Sequence, residues 1–256
     1  MKITTILPVS RIQYLDRVLE SLLKQTVKIE SLIVVFDGPE YEFVQARNRI
    51  AELDIENKVC VAAPPKPQAH TIAERRQHIV NIHNQIGEIL EDCDWVFSIE
   101  DDGILPDNAL KQLVSVSKAH KDAGMITGVE LGRWGLPYVG AWHVDDVFNP
   151  TLVTSLENKT KEPIIEEIDG CGLYCALIRA DEYKKHQFTT RNGLGPDVNL
   201  GLYLRQQGYE NYINWDVHVT HLTSRMNHEI EIPATDNSKV VRLRLSRNGT
   251  WLQEST

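Results

Sequence analysis

A short apolar segment that runs into three consecutive acids constrains the fold more than any other part of the sequence. Residues 95–99 read WVFSI, and Glu100, Asp101 and Asp102 follow them directly. A strand of this composition is typical of a parallel sheet that helices cover on both faces. In open sheets of that kind, ligands bind beyond the carboxyl ends of the strands. The segment therefore predicts a buried strand that delivers carboxylates to a binding edge.

Three adjacent carboxylates repel one another, and a divalent cation is the simplest way to hold them together. Mg²⁺ and Mn²⁺ suit oxygen ligands and keep coordination positions for water and for phosphate oxygens. The alternative is an acidic turn at the end of a strand. The local pattern does not decide between the two.

Alternating strands and helices extend the prediction to the rest of the chain. Residues 3–9 and 31–36 read as strands, and apolar residues recur at helical spacing between them. Ser10 and Gln13 match a capping box at the start of that helix. A third strand follows at 58–62, so the order is that of right-handed parallel crossovers. The alternation predicts an α/β fold with a mostly parallel, Rossmann-like central sheet and helices on both faces.

Polar residues near the ends of these elements are candidates for ligand binding. Asp37 follows the second strand, where a turn-forming aspartate is the ordinary explanation. A long helix predicted at 71–90 carries Arg75 and Arg76, which lie either on a solvated face or within reach of an anionic ligand.

Two further candidates come later in the chain. Asp197 precedes a predicted helix that Gly208 closes, and an ordinary N-cap is the alternative to a functional role. His221 ends a predicted strand at 212–221, and by alternation His218 faces the other side. The two histidines are therefore not expected to bind one metal together.

Composition limits the class of protein more than its function. The 256 residues are enough for one large α/β domain, and the net charge of -9 argues against broad binding to nucleic acid or to an anionic membrane. No apolar run reaches membrane-spanning length and the N-terminus lacks a signal-peptide core, so we expect a cytoplasmic protein without a transmembrane segment. The four cysteines form no zinc pattern, and we expect Cys171 and Cys175 to be reduced, packed thiols.

One segment lacks clean periodicity, and another carries local positive charge. Residues 131–150 are rich in glycine and aromatic residues, among which Trp134 and Trp142 either stack on a sugar or base or anchor an irregular loop. Residues 241–245 alternate as an edge strand with one basic face. The basic residues of the C-terminal part are Arg225, Arg242, Arg244 and Arg247.

Taken together, these residues resemble the nucleotide-sugar-dependent glycosyltransferases of the GT-A fold, family 2 in particular. The resemblance covers residues 3–222 and depends on the order and spacing of its parts, since no single part is specific. In order, the matching parts are Pro8-Val9-Ser10, Leu22-Leu23-Lys24-Gln25, Val34-Val35-Phe36-Asp37-Gly38, the polar helix at 71–90, the acidic triplet, Gly170-Cys171-Gly172, Asp197 and His221. The triplet departs from Asp-x-Asp, and Pro196-Asp197 stands where the family often has Glu-Asp.

The resemblance implies a role for each of these residues. Asp102 would bind Mn²⁺ or Mg²⁺, with His221 completing the metal shell, and Asp197 would act as the general base of an inverting transfer. Arg75 or Arg76 would face the diphosphate. Donor-binding residues would be Pro8, Ser10 and Asp37 around the base and Glu100 and Asp101 near the ribose or a metal-bound water, and the acceptor side would include Trp134, Trp142 and Gly170.

The resemblance also implies one GT-A-like domain over residues 1–256. Residues 1–103 would bind the nucleotide sugar, 104–222 the acceptor, and 223–256 would form a tail or lid. A UDP-sugar is the favoured donor and a hydroxyl-bearing molecule the acceptor. The C-terminal arginines leave open a phosphate-bearing acceptor, either nucleic acid or a lipid-linked phosphate, against a solvated strand guarded by charge.

Three other functions are alternatives to this one. A retaining enzyme would share the donor half. A non-catalytic carbohydrate- or nucleotide-binding module would use the tryptophans and leave the acids as surface turns. A sugar-phosphate nucleotidyltransferase should carry a glycine-rich phosphate loop after the first strand, and residues 7–11 (LPVSR) contain no glycine.

Overall fold

The computed structural model describes residues 1–65, 71–130, 138–145, 150–154, 164–190, 194–222, 229–233, 240–245 and 251–254. The helices are α1 (Ile12–Leu23), α2 (Glu40–Ala51), α3 (Ile72–Ile89), α4 (Ala109–Ala119), α5 (Ala180–Lys185) and α6 (Pro196–Gln206). The strands are β1 (Ile3–Val9), β2 (Ser31–Phe36), β3 (Asn57–Ala62), β4 (Trp95–Ile99), β5 (Gly103–Ile104), β6 (Ala123–Glu130), β7 (Tyr138–Val144), β8 (Pro150–Thr154), β9 (Ile165–Ile168), β10 (Gly170–Cys171), β11 (Cys175–Arg179), β12 (Glu210–His221), β13 (Glu229–Pro233), β14 (Val240–Leu245) and β15 (Trp251–Glu254). The predicted alternation of strands and helices is confirmed.

A nine-stranded sheet forms the centre of the molecule. Its strand order is β3-β2-β1-β4-β11-β6-β12-β5, and β9 pairs with β12 beside this path. The strands β1 to β4, β6 and β12 share one direction, whereas β5, β9 and β11 run against it. The predicted mostly parallel sheet is confirmed, and it draws strands from both predicted halves of the domain.

Helices cover both faces of this sheet, as predicted. On one face the core includes Leu15 and Leu22 from α1, together with buried residues of α2 and α4. On the other face it includes Ile86 from α3 and Leu204 from α6, with α5 beside them. Side chains of the central strands point alternately to the two cores, which is why uninterrupted apolar strands are needed here.

The start of α1 differs from the prediction. Its N-cap is Arg11, without a side-chain capping bond, so the predicted capping box of Ser10 and Gln13 is wrong. The hydroxyl of Ser10 instead donates to Asp101, 91 residues away. A capping box does form at α3, where the hydroxyl oxygen of Thr71 accepts from the Glu74 backbone at 3.2 Å and the Glu74 carboxylate accepts from the Thr71 backbone at 3.0 Å.

Two smaller sheets complete the described structure, with strand orders β10-β7-β8 and β13-β14-β15. β14 lies between two partners, so the prediction of an edge strand at 241–245 is wrong. Arg242 and Arg244 belong to this strand, whereas Arg225 and Arg247 lie outside the described residues.

The structure also tests the predictions for Gly208, for the cysteines and for membrane-spanning helices. Gly208 follows α6 with a φ of 85°, as expected of a residue that closes a helix. All four cysteines are free, and burial raises the pKa of Cys171 and Cys175, so both are packed thiols as predicted. In the described ranges, every helix is too short or too polar to cross a membrane.

Candidate functional site

The shared direction of the central strands brings polar residues from distant parts of the sequence to one edge of the sheet. Each of these residues ends a strand or directly follows one, and parallel strands present their carboxyl ends at the same edge. The residues are Ser10 after β1, Asp37 after β2, the acidic triplet after β4, Glu130 at the end of β6 and His221 at the end of β12.

Glu100, Asp102 and His221 form a group that can hold a metal ion. Each offers one ligand atom, and the three atoms lie within 4.8 Å of one another. Asp102 and His221 are buried, with 0% and 1% exposure, and Glu100 is half-buried. Both ring nitrogens of His221 are buried. Two carboxylates and an imidazole make a set of oxygen and nitrogen ligands that fits a divalent cation.

His221 lies between two carboxylates from different strands. Its Nδ1 is 3.2 Å from Oδ1 of Asp102, and its Nε2 is 2.9 Å from Oε1 of Glu130. Burial lowers the pKa of His221, but the two carboxylates outweigh that effect and raise the pKa to about 9. The two carboxylates therefore favour the protonated imidazole, and a divalent cation would displace the proton from the ring nitrogen that it binds.

Asp101 bonds mainly to the turn that follows β1, whereas Asp102 belongs to the candidate metal group. Its Oδ2 accepts hydrogen bonds from the backbone N–H groups of Ser10 and Arg11, both at 2.7 Å, and from the Ser10 hydroxyl at 3.1 Å. Its Oδ1 accepts from Nε of Arg11 at 3.0 Å. Asp101 therefore fixes the turn between β1 and α1, which explains why Ser10 does not cap its own helix.

Arg11 connects the two aspartates of the triplet. Its guanidinium pairs with Asp101 through Nε and Nη2 and with Asp102 through Nη1. These carboxylates raise the pKa of Arg11 in spite of its partial burial. The positively charged guanidinium of Arg11 therefore lies beside the candidate metal group and is hydrogen-bonded to Asp102, one of its carboxylates.

A pocket of about 230 Å³ opens next to the acidic triplet. Five of the predicted donor-binding residues line it: Pro8, Ser10, Asp37, Glu100 and Asp101. Helix α3 forms the opposite wall with His78, Ile79, Ile82 and His83. The structure thus brings the ends of β1, β2 and β4 around one space, as the strand pattern predicts.

Asp37 is held in this pocket by His78. The Oδ1 atom of Asp37 is 2.8 Å from Nε2 of His78, and the two side chains are 13% and 7% exposed. A turn-forming aspartate would face solvent, so this pairing favours a role in the pocket. The neighbouring His83 has its pKa lowered to about 4 by burial and contacts the hydroxyl of Tyr183 at 2.8 Å, which makes it a neutral part of the wall.

The two arginines predicted to face the diphosphate lie elsewhere on α3. Arg75 is exposed and Arg76 half-buried in the first turns of the helix. Neither is among the described residues that line the 230 Å³ pocket. Among the arginines that the structure describes, Arg11 lines this pocket.

Asp197 lies in the first turn of α6. Gly195 is the N-cap and Pro196 the first helical residue, so the ordinary N-cap explanation of Asp197 is wrong. Asp197 is half-buried, and its Oδ1 accepts a hydrogen bond from the backbone of Val198 at 3.0 Å. The helix macrodipole favours an ionised carboxylate at this position.

The remaining acceptor-side candidates pack closely together. Trp142 is 6% exposed and pairs with Gly170 across β7 and β10. A Cβ on Gly170 would lie 2.6 Å from Nε1 of this indole, and a Cβ on Gly201 of α6 would lie 2.5 Å from the Asp169 carbonyl. The burial of Trp142 favours an anchoring role over stacking on a ligand. Trp134 lies outside the described residues.

Three residues of the site were missed by the sequence analysis. Glu130 obeys the same rule as the others, since it is the last residue of β6, and that rule could have found it. Arg11 follows Ser10 directly, but its partners are 90 and 91 residues away. His78 lies on a helix face that the polar pattern of α3 does not single out.

Solved structures share this architecture. GalNAc-T7 with UDP, GalNAc and Mn²⁺ matches at a TM-score of 0.61 and 9% identity, over 87% of this chain and 44% of that one. A mannosyltransferase from Pyrobaculum calidifontis, in complex with GDP-Man and Mn²⁺, matches at 0.60 and 15% identity, over 88% and 58%. The chain has the GT-A fold. It spans less than two thirds of the length of either enzyme.

The other comparisons add little. A197 from STIV matches at 13% identity, over all of this chain and 95% of that one, but the TM-score of 0.47 is too low to bear on the fold. No protein-family model matches the sequence, and no curated protein sequence does. The GT-A likeness is therefore one of fold.

Proposed function

We propose that this chain is a metal-dependent glycosyltransferase that moves a sugar from a nucleotide-sugar donor to an acceptor hydroxyl. One observation carries the proposal: a group of two carboxylates and a buried histidine lies at the carboxyl edge of a GT-A sheet, beside a pocket of about 230 Å³. The ligand types suit Mn²⁺ or Mg²⁺. Both enzymes named above were solved with Mn²⁺, one with UDP and GalNAc and the other with GDP-Man, which supports the same donor class here.

The donor would lie across this edge with its nucleotide in the pocket. Asp37, oriented by His78, would accept a hydrogen bond from the base, and Pro8 and Ser10 would line the same wall. Arg11 pairs with Asp101 and Asp102 and lines this pocket, so we assign to it the diphosphate-facing charge that the resemblance gave to Arg75 or Arg76. A UDP-sugar is the favoured donor.

A divalent cation bound by Glu100, Asp102 and His221 would neutralise charge on the leaving diphosphate. Asp197 would hold the acceptor hydroxyl and take its proton, which gives inversion at the anomeric carbon. A carboxylate in the first turn of a helix is ionised at neutral pH and is suited to that task.

The proposal is tested by a thermal-shift screen of nucleotide sugars with Mn²⁺. A shift with one nucleotide class that disappears in chelator would support a metal-dependent donor site. Equal shifts in Mn²⁺ and in chelator would favour a non-catalytic binding module. NMR of the anomeric configuration of the product then separates inversion from retention.

The acceptor is the least constrained part of the proposal. A phosphate-bearing acceptor, nucleic acid or a lipid-linked phosphate, rests on the arginines of the C-terminal part alone. Titration with a short oligonucleotide at low and high salt tests it, and an absence of binding at low salt would dismiss nucleic acid.

A further inference from the structure

Glu130 is a buried acid that the chemistry above does not use. It is the last residue of β6, and its exposure is 7%. A buried carboxylate is costly unless it is paired. The Oε1 atom of Glu130 lies 2.9 Å from Nε2 of His221, so the imidazole provides that pairing.

The other ring nitrogen of His221 faces the candidate metal group. Nδ1 is 3.2 Å from Oδ1 of Asp102, which belongs to that group together with Glu100. A neutral imidazole has one N–H donor and one acceptor nitrogen. If the Nε2–H points to Glu130, the lone pair of Nδ1 points to the metal group.

The surroundings hold this arrangement in place. A Cβ on Gly140 would lie 3.2 Å from Oε2 of Glu130 and 2.4 Å from the ring of Tyr174, so β7 approaches closely enough to confine both side chains. Tyr174 meets His221 edge to face, with ring centroids 6.5 Å apart, and its hydroxyl donates to the Gly128 carbonyl at 2.8 Å. The imidazole is therefore confined on several sides.

We propose that Glu130 is a positioning residue that orients His221, so that Nδ1 is the atom presented to the divalent cation. The inference rests on the proposed function. Carboxylates that accept a hydrogen bond from a metal-binding histidine fix its tautomer and raise its basicity, and their removal typically costs about 10–100-fold in metal affinity. Glu130 acts through His221 and does not itself touch the cation or the donor.

Calorimetric titration with Mn²⁺ tests the proposal in the full chain. Glu130→Ala should bind Mn²⁺ about 10–100-fold more weakly than the wild type. Glu130→Gln should lose less, because the amide oxygen can still accept the Nε2–H. Glu182→Ala is the matched control. Glu182 on α5 is 4% exposed and accepts hydrogen bonds from Lys185 of the same helix and from Tyr203 of α6, so its loss should lower the melting temperature but leave Mn²⁺ affinity unchanged.

The outcomes separate the inference from the proposed function. Wild-type Mn²⁺ affinity in folded Glu130→Ala would overturn the role of Glu130 and leave the metal site standing. An equal loss of Mn²⁺ affinity in Glu130→Ala and Glu182→Ala would show general destabilisation and would also overturn it. A wild-type protein that binds no Mn²⁺ would remove the metal from the proposed function, and the inference with it.

Discussion

The proposed donor side and the proposed acceptor side of the candidate site are built from different kinds of contact. On the donor side, Arg11, His78 and His221 each pair with an aspartate from a distant strand end. On the acceptor side, Gly170 and Gly201 allow close backbone approach, and Trp142 fills the space beside them. Charge pairs therefore hold one side in place and close packing holds the other. Substitutions on the two sides should accordingly change different measured quantities.

The largest effect is expected at Asp102. This residue belongs to the candidate metal group and pairs with both Arg11 and His221. Asp102→Ala should abolish measurable Mn²⁺ binding and lower transfer by about 10³-fold, equivalent to several kcal/mol of lost charge stabilisation. Asp101→Asn, which disturbs the β1–α1 turn, should keep Mn²⁺ binding. Calorimetry and initial-rate assays measure both, and equal losses of binding in the two variants would contradict the separate roles of the neighbouring aspartates.

The next effect is expected on the acceptor side, at Asp197. Loss of a general base typically costs about 10²–10⁴-fold in rate. Asp197→Asn should therefore lower transfer by that factor and leave Mn²⁺-dependent donor binding intact. Asp181→Asn is the control, since Asp181 is also an acid in the first turn of a helix, but on α5. An Asp197→Asn enzyme with full transfer would rule out the base assignment.

A smaller effect, on stability, is expected at Arg11. Arg11→Gln leaves Asp101 and Asp102 without their shared guanidinium, and the free energy of unfolding in chelator should fall by about 1–3 kcal/mol, because the arginine is partly exposed. Added Mn²⁺ should recover part of the loss. Denaturant titrations with and without metal measure it. Arg49→Gln breaks an exposed pair with Asp16 and should change stability by less than about 1 kcal/mol, so similar losses in both variants would argue against a special role for Arg11.

The smallest effect is expected at Trp142. Its indole is buried against Gly170, so Trp142→Phe should lower the free energy of unfolding by about 1 kcal/mol through lost packing. The KM for the acceptor should not change. A raised KM at unchanged stability would instead indicate direct contact with the acceptor, as the glycine- and aromatic-rich composition of the segment also allowed.

Much of the fold could be predicted because local pattern and tertiary position agree in a parallel sheet. Strands buried on both faces must be apolar throughout, so residues 95–99 were recognisable, and the rule that ligands bind at carboxyl ends located Asp37 and the acidic triplet. The helix at 71–90 was recognisable from its length. The cap at Ser10 was not, since a distant carboxylate competes with the local helix end for the same hydroxyl.

The pairing of charges could not be predicted from one sequence. Nothing near Arg11 in the chain indicates that it meets Asp101 and Asp102, and the contact of His78 with Asp37 depends on how α3 lies across the sheet. The wrong placement of 241–245 at an edge has the same cause, since alternation predicts a strand but not its number of neighbours.

One pairing in the sheet bears on when the site can form. β12 joins β5 through Thr220 with Ile104 and His221 with Gly103, and the backbone of Leu222 donates to the Asp102 carbonyl at 2.7 Å. The strand that supplies the imidazole thus closes onto the residues just after the acidic triplet, although nearly half of the chain separates them. Contacts between such distant residues form late in folding. During synthesis, β1 to β4 can assemble on the ribosome well before His221 has emerged, so metal affinity should appear only after β12 has joined the sheet.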